Sequence, residues 1–261
     1  MVTMGDPLEE IPLLGGEVND VVRVGATVRR TAGSWTPSVQ AVLAHLGDVG
    51  FGYAPVPLGI DDRGREVVSY LDGTTARRPW PAVLRTDAGL HQLGRMAVEL
   101  AVALRSYPVS EHDIWRHGGV PGGPHPTLRH GDLGLWNTLW ATEPAGSALV
   151  GVIDWDYLEP APELWDLAQL AYYAVPLRPR FWAESGFAAE PDYTHRLAVL
   201  ADYADVRPAD LVDVLLDLQA LDRERAATWG GEGLHPWDKF LAAGFVSDLD
   251  QDGAWLRSRR W

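Results

Sequence analysis

The 261-residue chain has no cysteine, and Lys239 is its one lysine, so 21 of its 22 basic side chains are arginine. Without cysteine there is no disulfide scaffold, thiolate zinc centre, iron–sulfur cluster or cysteine nucleophile. No stretch approaches the roughly 18 consecutive apolar residues of a membrane-spanning helix. The opening MVTMGDPLEE has no basic segment ahead of an apolar core, so a cytoplasmic location is expected. Positive charge is scarce overall: 36 acids against 22 bases leave a formal net charge of −14. Phosphate-rich partners are repelled by such a surface, so neither nucleic acid nor an anionic membrane is an expected partner. What is present is globular in composition, 46% hydrophobic and 22% charged, and long enough for one large domain or two modest ones.

The first third has the spacing of a small β-rich unit. Residues 13–24 pattern as strand, Gly15-Gly16 turn and strand, and Gly25-Ala26 leads into a strand at Thr27-Val28-Arg29-Arg30. Pro37 stands in the first turn of a helix whose Val39, Val42, Leu43 and Leu46 share one face, with Gly47 as its expected end. Segments 56–60 and 66–71 flank a polar turn, which predicts a hairpin closed by Asp72-Gly73. Five strands and one helix are therefore expected. After a polar crossing at 74–81, residues 86–106 carry the broad apolar face of a long helix. Strand-like runs follow at 127–129, 138–140 and 149–153, then helices near 163–175, 191–204, 208–225 and 236–247.

Chemistry concentrates in His130-Gly131-Asp132-Leu133-Gly134-Leu135-Trp136-Asn137 and in Val152-Ile153-Asp154-Trp155-Asp156. Phosphoryl transfer needs one carboxylate to orient and deprotonate an attacking hydroxyl, and hard oxygen ligands to hold magnesium against phosphates. An Asp with an Asn five residues on can supply the first and part of the second, and an Asp following an apolar strand can complete the ligand set. Histidines 112, 117, 125 and 130 lack zinc-helix spacing and are expected to be solvated or hydrogen-bonded in loops. Trp136, Trp155 and Trp165 are expected to pack beneath the active loops.

The motif His-Gly-Asp-x-x-x-x-Asn with the later Ile-Asp-Trp-Asp resembles the aminoglycoside phosphotransferase and choline kinase family, relatives of the protein kinases. Residues 160–168 are similar to that family's Pro-x-x-x-Asp-Leu-Ala stretch, and residues 15–24 to its phosphate-loop hairpin. The resemblance implies an α+β, bilobal, protein-kinase-like fold: a nucleotide-binding N-lobe over 1–73 and a mainly helical C-lobe over 74–261. It implies a magnesium-assisted transfer of phosphoryl from ATP or GTP to a small-molecule hydroxyl. Asp132 would be the base, Asn137 and Asp154 the magnesium ligands, and His130 and Asp166 the residues that orient the catalytic loop. Gly15, Gly16 and Asn19 would contact phosphate. Ser69, Tyr70 and Leu71 would form the hinge that offers backbone groups to adenine, with Leu139 and Ile153 flooring the base.

Two departures accompany the resemblance. The third strand normally carries a lysine paired with a glutamate on the following helix, yet this strand offers only Arg29 and Arg30, and the helix carries Gln40 and His45 but no acid. Arg29 and Arg30 point to opposite faces, so one of the two enters the cleft, with Arg30 preferred. A non-catalytic kinase-like binding or resistance protein is therefore an alternative, as is a metal-dependent hydrolase built on His130 and Asp132.

Acid is concentrated late in the chain: residues 190–252 hold 14 acids and 5 bases, so 9 of the 14 net negative charges lie there. Asp210, Asp213 and Asp217 line one helix face, as a solvated surface or as a wall for a polycationic acceptor such as an aminoglycoside antibiotic. Asp156, Glu159 and Glu163 are the nearer acceptor contacts expected.

Overall fold

The computed structural model describes residues 9–13, 21–121, 125, 127–143 and 146–261. Five strands, β1 (Glu10–Pro12), β2 (Val22–Val24), β3 (Thr27–Thr31), β4 (Pro57–Ile60) and β5 (Arg65–Ser69), form one antiparallel sheet in the order β1-β2-β3-β5-β4. Helix α1 (Thr36–Asp48) leaves β3 and returns the chain to β4. Its proline occupies the first turn, where a missing N–H costs nothing. Gly47 remains helical. The chain reverses at Gly50, whose φ of +81° is open to glycine at no steric cost, so the helix runs slightly beyond the expected stop.

β6 (Thr74–Thr75), directly after the lobe boundary expected at 73, pairs with β8 rather than with the five-stranded sheet. The long helix α2 (Asp87–Arg105) is capped by Thr86, which accepts from the amide of Gly89. Its Leu90, Leu93, Met96, Ala97, Leu100 and Leu104 are buried. Two short antiparallel ladders lie beyond it. β7 (Thr127–Arg129) pairs with β10 (Glu159–Ala161), and β8 (Thr138–Glu143) pairs with β9 (Gly146–Val152). β10 was not expected from the sequence, because a three-residue Glu-Pro-Ala segment has neither length nor alternation.

The rest is helical: α3 (Trp165–Ala174), α4 (Phe181–Glu184), α5 (Tyr193–Tyr203), α6 (Pro208–Gly231), α7 (Trp237–Ala242) and α8 (Phe245–Arg257). The helix expected over 236–247 is two helices, divided at Gly244 with φ +87°. One continuous core runs from Val39 and Val42 of α1 through α2, α3 and α5 to Leu211, Leu215 and Leu256. It supports both ladders from behind and fixes the loop between β7 and β8. Among the described residues no helix is long and apolar enough to cross a membrane.

Candidate active site

The loop from His130 to Asn137 is held from three sides. Asp166, in the first turn of α3, accepts the backbone N–H of His130 at 2.6 Å and of Gly131 at 3.3 Å. His130 is fully buried. Its Nε2 donates to the Ile153 carbonyl at 3.1 Å, and its Nδ1 accepts the Asp132 amide at 3.2 Å. Both ring nitrogens are thereby committed, and burial drives its pKa down to about 3, so the ring is a neutral brace and no metal ligand. Gly131 is required here: φ is +83°, and a Cβ would stand 1.9 Å from the Tyr157 carbonyl oxygen.

This bracing presents Asp132. Its Oδ2 accepts Asn137 Nδ2 at 2.9 Å and the Trp136 indole N–H at 3.3 Å, and Asn137 Nδ2 also reaches the Asp132 carbonyl at 2.8 Å. Burial, followed by the nearby charge of Asp154, raises the Asp132 pKa to about 7, against the pull of both donors. A carboxyl poised near neutrality is suited to taking a proton from a hydroxyl. Asp166 is also raised, to about 6, by burial, with the two amides it accepts opposing the rise.

Asn137 uses its amide nitrogen on Asp132, so its oxygen is the atom a hard cation would take. Its backbone carbonyl accepts the N–H of Ile153 at 3.0 Å, which brings the next residue, Asp154, alongside. Asp154 has φ +65°, a left-handed conformation unusual for a non-glycine residue and one that points to a functional constraint. Its side chain is 44% exposed. An amide oxygen and an open carboxylate fit magnesium, which takes one or two protein oxygens and completes its shell with water and phosphate.

Arg30 is the arginine of the pair that reaches this point. Its guanidinium, 9% exposed, contacts three carboxylates: Nε with Glu66, Nη1 with Asp154 at 3.1 Å and Nη2 with Asp156 at 2.7 Å. Burial alone would lower its pKa, but Asp156, Glu66 and Asp154 outweigh that and hold it above the ordinary guanidinium value. Arg29 lies on the other face, against Thr27 and 3.5 Å from Asp61.

Elsewhere the placement departs from expectation. Gly15, Gly16 and Asn19 lie outside the described residues. The amides of Ser69 and Tyr70 are spent on the carbonyls of Val56 at 2.8 Å and Ala26 at 2.9 Å, because β5 continues its ladder into the expected hinge. Leu71, expected in the hinge, packs over Gly151 beside the buried Leu139. Ile153 is half-buried next to Asp154.

The expected acceptor contacts are mostly engaged within the fold. Glu159 is 1% exposed and pairs with Arg129 and with Arg225, at 2.7 Å to the latter, so it is a buried brace rather than an acceptor contact. Its pKa falls because the two arginines outweigh the cost of burial. Asp156 is buried on Arg30 and Arg116, and Glu163 pairs with Arg105 at 3.0 Å. Asp213 and Asp217 point to solvent.

Three side chains near Asp132 were not singled out for such a role. Trp136, beyond packing, donates to the Asp132 carboxyl. Tyr173 meets Trp136 edge-on at 4.6 Å and feels the charges of both Asp132 and Asp222. Asp222 on α6 is half-buried, and burial raises its pKa. Its signal was legible: it falls four residues after Leu218 and seven after Leu215, an acid on the apolar stripe of an otherwise well-patterned helix. His117, expected to be solvated or hydrogen-bonded in a loop, is of the second kind: it accepts the Trp237 indole N–H at 3.5 Å and packs among Tyr157, Trp229 and Trp237, and burial lowers its pKa to about 3.

The chain is similar to several known proteins. A sequence profile of the phosphotransferase enzyme family, APH, matches residues 109–208. The chain is 32% identical over 200 residues to the trifolitoxin immunity protein of Rhizobium leguminosarum bv. trifolii, covering 74% of this chain and 73% of that protein. The GDP and kanamycin complex of APH(2")-IIia aligns with TM-score 0.59 and 17% identity, over 94% of this chain and 93% of that one. The ethanolamine kinase of Plasmodium vivax aligns with TM-score 0.54 and 13% identity, over 96% and 82% of the two chains.

Proposed function

Because the chain belongs to the APH phosphotransferase family and has its protein-kinase-like fold, we propose that it moves the γ-phosphoryl group of ATP or GTP onto a hydroxyl of a small molecule. The observation that carries this reading is the arrangement around Asp132: a carboxyl with a pKa near 7, gripped by Asn137 and Trp136, with Asp154 beside it. Asp132 takes the proton as the acceptor oxygen bonds to phosphorus and the bond to the β-phosphate oxygen breaks. Asn137 and Asp154 would hold magnesium, which neutralises charge on the phosphates when bound. Arg30 provides a permanent cation at the place where the family carries lysine; its fork can bind two phosphate oxygens together.

The acceptor proposed is an amine-bearing hydroxyl compound, with antibiotics in scope, since the relative of highest identity quoted above is an immunity protein. With Asp156 and Glu159 committed to arginines, Asp222 is the acid best placed to meet a cation near the base. Binding without turnover is the competing reading, favoured by Arg30 engaging Asp154 directly. An ADP- and GDP-release screen over hydroxyl-bearing natural products, run beside Asp132→Ala, separates them. Turnover lost in that variant with nucleotide binding retained supports phosphotransfer, whereas nucleotide binding without turnover of any acceptor supports the binder.

A further inference from the structure

The one acid of α1 is Asp48, exposed at its last position, so the helix acid that a kinase-like lobe uses to hold its phosphate-binding cation has no counterpart in the body of α1, and its work has a visible substitute. Glu66 on β5 is the direct cross-strand partner of Arg30 on β3, is fully buried, and takes Arg30 Nε on Oε2. Its other oxygen, Oε1, accepts Gln40 Nε2 from α1 at 2.7 Å, and Gln40 Oε1 accepts the amide of Gly59 on β4 at 2.9 Å. The carboxylate is thus fixed by the strand opposite, by the helix above and, through Gln40, by the edge strand.

The division of labour on the guanidinium is directional. The Nε edge is anchored inside the sheet, and both Nη atoms point towards Asp154 and Asp156 at the cleft. An arginine that served only to stabilise the sheet would have no need to send two of its three nitrogens across to the β9–β10 segment. Lysine could not make this arrangement, since one ammonium cannot be anchored in one plane and present a two-donor fork beyond it.

We propose that Glu66, oriented by Gln40, is the positioning residue that aims Arg30 at the nucleotide phosphates, so that the anchor has moved from the helix to the neighbouring strand. This rests on the phosphotransfer reading. Asp154 and Asp156 are then the resting partners of the Nη atoms, exchanged in part for phosphate oxygens when nucleotide enters.

The test is calorimetry with Mg-ATP and Mg-GTP on the full chain, together with steady-state kinetics that separate nucleotide KM from acceptor KM. Glu66→Gln is expected to weaken nucleotide binding at least 10-fold and raise nucleotide KM in step, with acceptor KM within about 2-fold of wild type. Gln40→Leu removes the Gln40 hydrogen bonds with Glu66, the Val67 carbonyl and the Gly59 amide and leaves the Arg30–Glu66 pair, so it remains testable where Glu66→Gln does not fold; a 3- to 10-fold loss of nucleotide affinity is expected. Nucleotide affinity unchanged in Gln40→Leu and in folded Glu66→Gln overturns the inference while leaving phosphotransfer intact. Absence of nucleotide binding to the wild-type chain at millimolar concentration overturns both.

Discussion

Trp136 donates its indole N–H to the carboxyl of Asp132, four residues earlier, at 3.3 Å. That bond favours the charged form of Asp132 and opposes the burial that lifts its pKa to about 7. A base must be ionised, so kcat/KM should rise with pH through an acid limb near 7. In Trp136→Phe the ring is kept but the donor is lost, and the limb should move towards pH 8, in keeping with a hydrogen bond worth about 1 kcal/mol. A pH–rate profile checks this. An unmoved limb would mean that Asp132 is not the titrating base.

Asp132 also makes stability depend on pH. Its folded pKa lies above that of an ordinary carboxyl, so its contribution is full below the unfolded value and is lost as pH rises through about 7. Asparagine fills the same space and never ionises. Asp132→Asn should therefore have a higher melting temperature than wild type at pH 8, a gap that opens between roughly pH 4 and 7 and is then constant. Melting curves across that range test it, with an inverted or pH-independent gap as the contrary result.

Glu159 stands between Arg129 and Arg225, both nearly inaccessible. Deleting it strands two buried cations, a change that costs about 3–5 kcal/mol. Urea denaturation of Glu159→Ala should show that loss, and kinetics below the transition should show acceptor KM unchanged. A raised acceptor KM in a stable variant would restore Glu159 to the acceptor site.

Local patterning carried most of the architecture. The apolar faces of α1 and α2, the strand-like runs and the glycine and proline punctuation around them were enough to predict five strands with one helix, followed by a helical half. Contiguous motif residues kept their company too, because the short loop from His130 to Asn137 cannot scatter them. What escaped was decided by register and distance. The pairing of Arg30 with Glu66 depends on which rung of the β3–β5 ladder faces which. Glu159 looked like a free acid since its two arginines lie 30 and 66 residues away. The extension of β5 into the expected hinge is likewise a matter of pairing, since the Tyr70 amide finds Ala26 only once the sheet exists.

Asp222 gives the sharpest test of acceptor chemistry. It acts electrostatically on both Asp132 and Tyr173, so its charge is within reach of a cationic group bound near Asp132. An ammonium group there would gain a charge-assisted contact of about 1.5–3 kcal/mol. Asp222→Asn should therefore raise KM about 10- to 100-fold for amine-bearing acceptors and leave neutral acceptors and nucleotide KM unaffected. Asp213→Asn and Asp217→Asn, which alter solvent-facing positions of the same helix, should change none of these values, since exposed charges are screened. Steady-state kinetics on matched amine and neutral acceptors separates the cases. Equal effects from Asp217 and Asp222 would assign recognition to the overall charge of the helix instead of to one carboxylate beside the base.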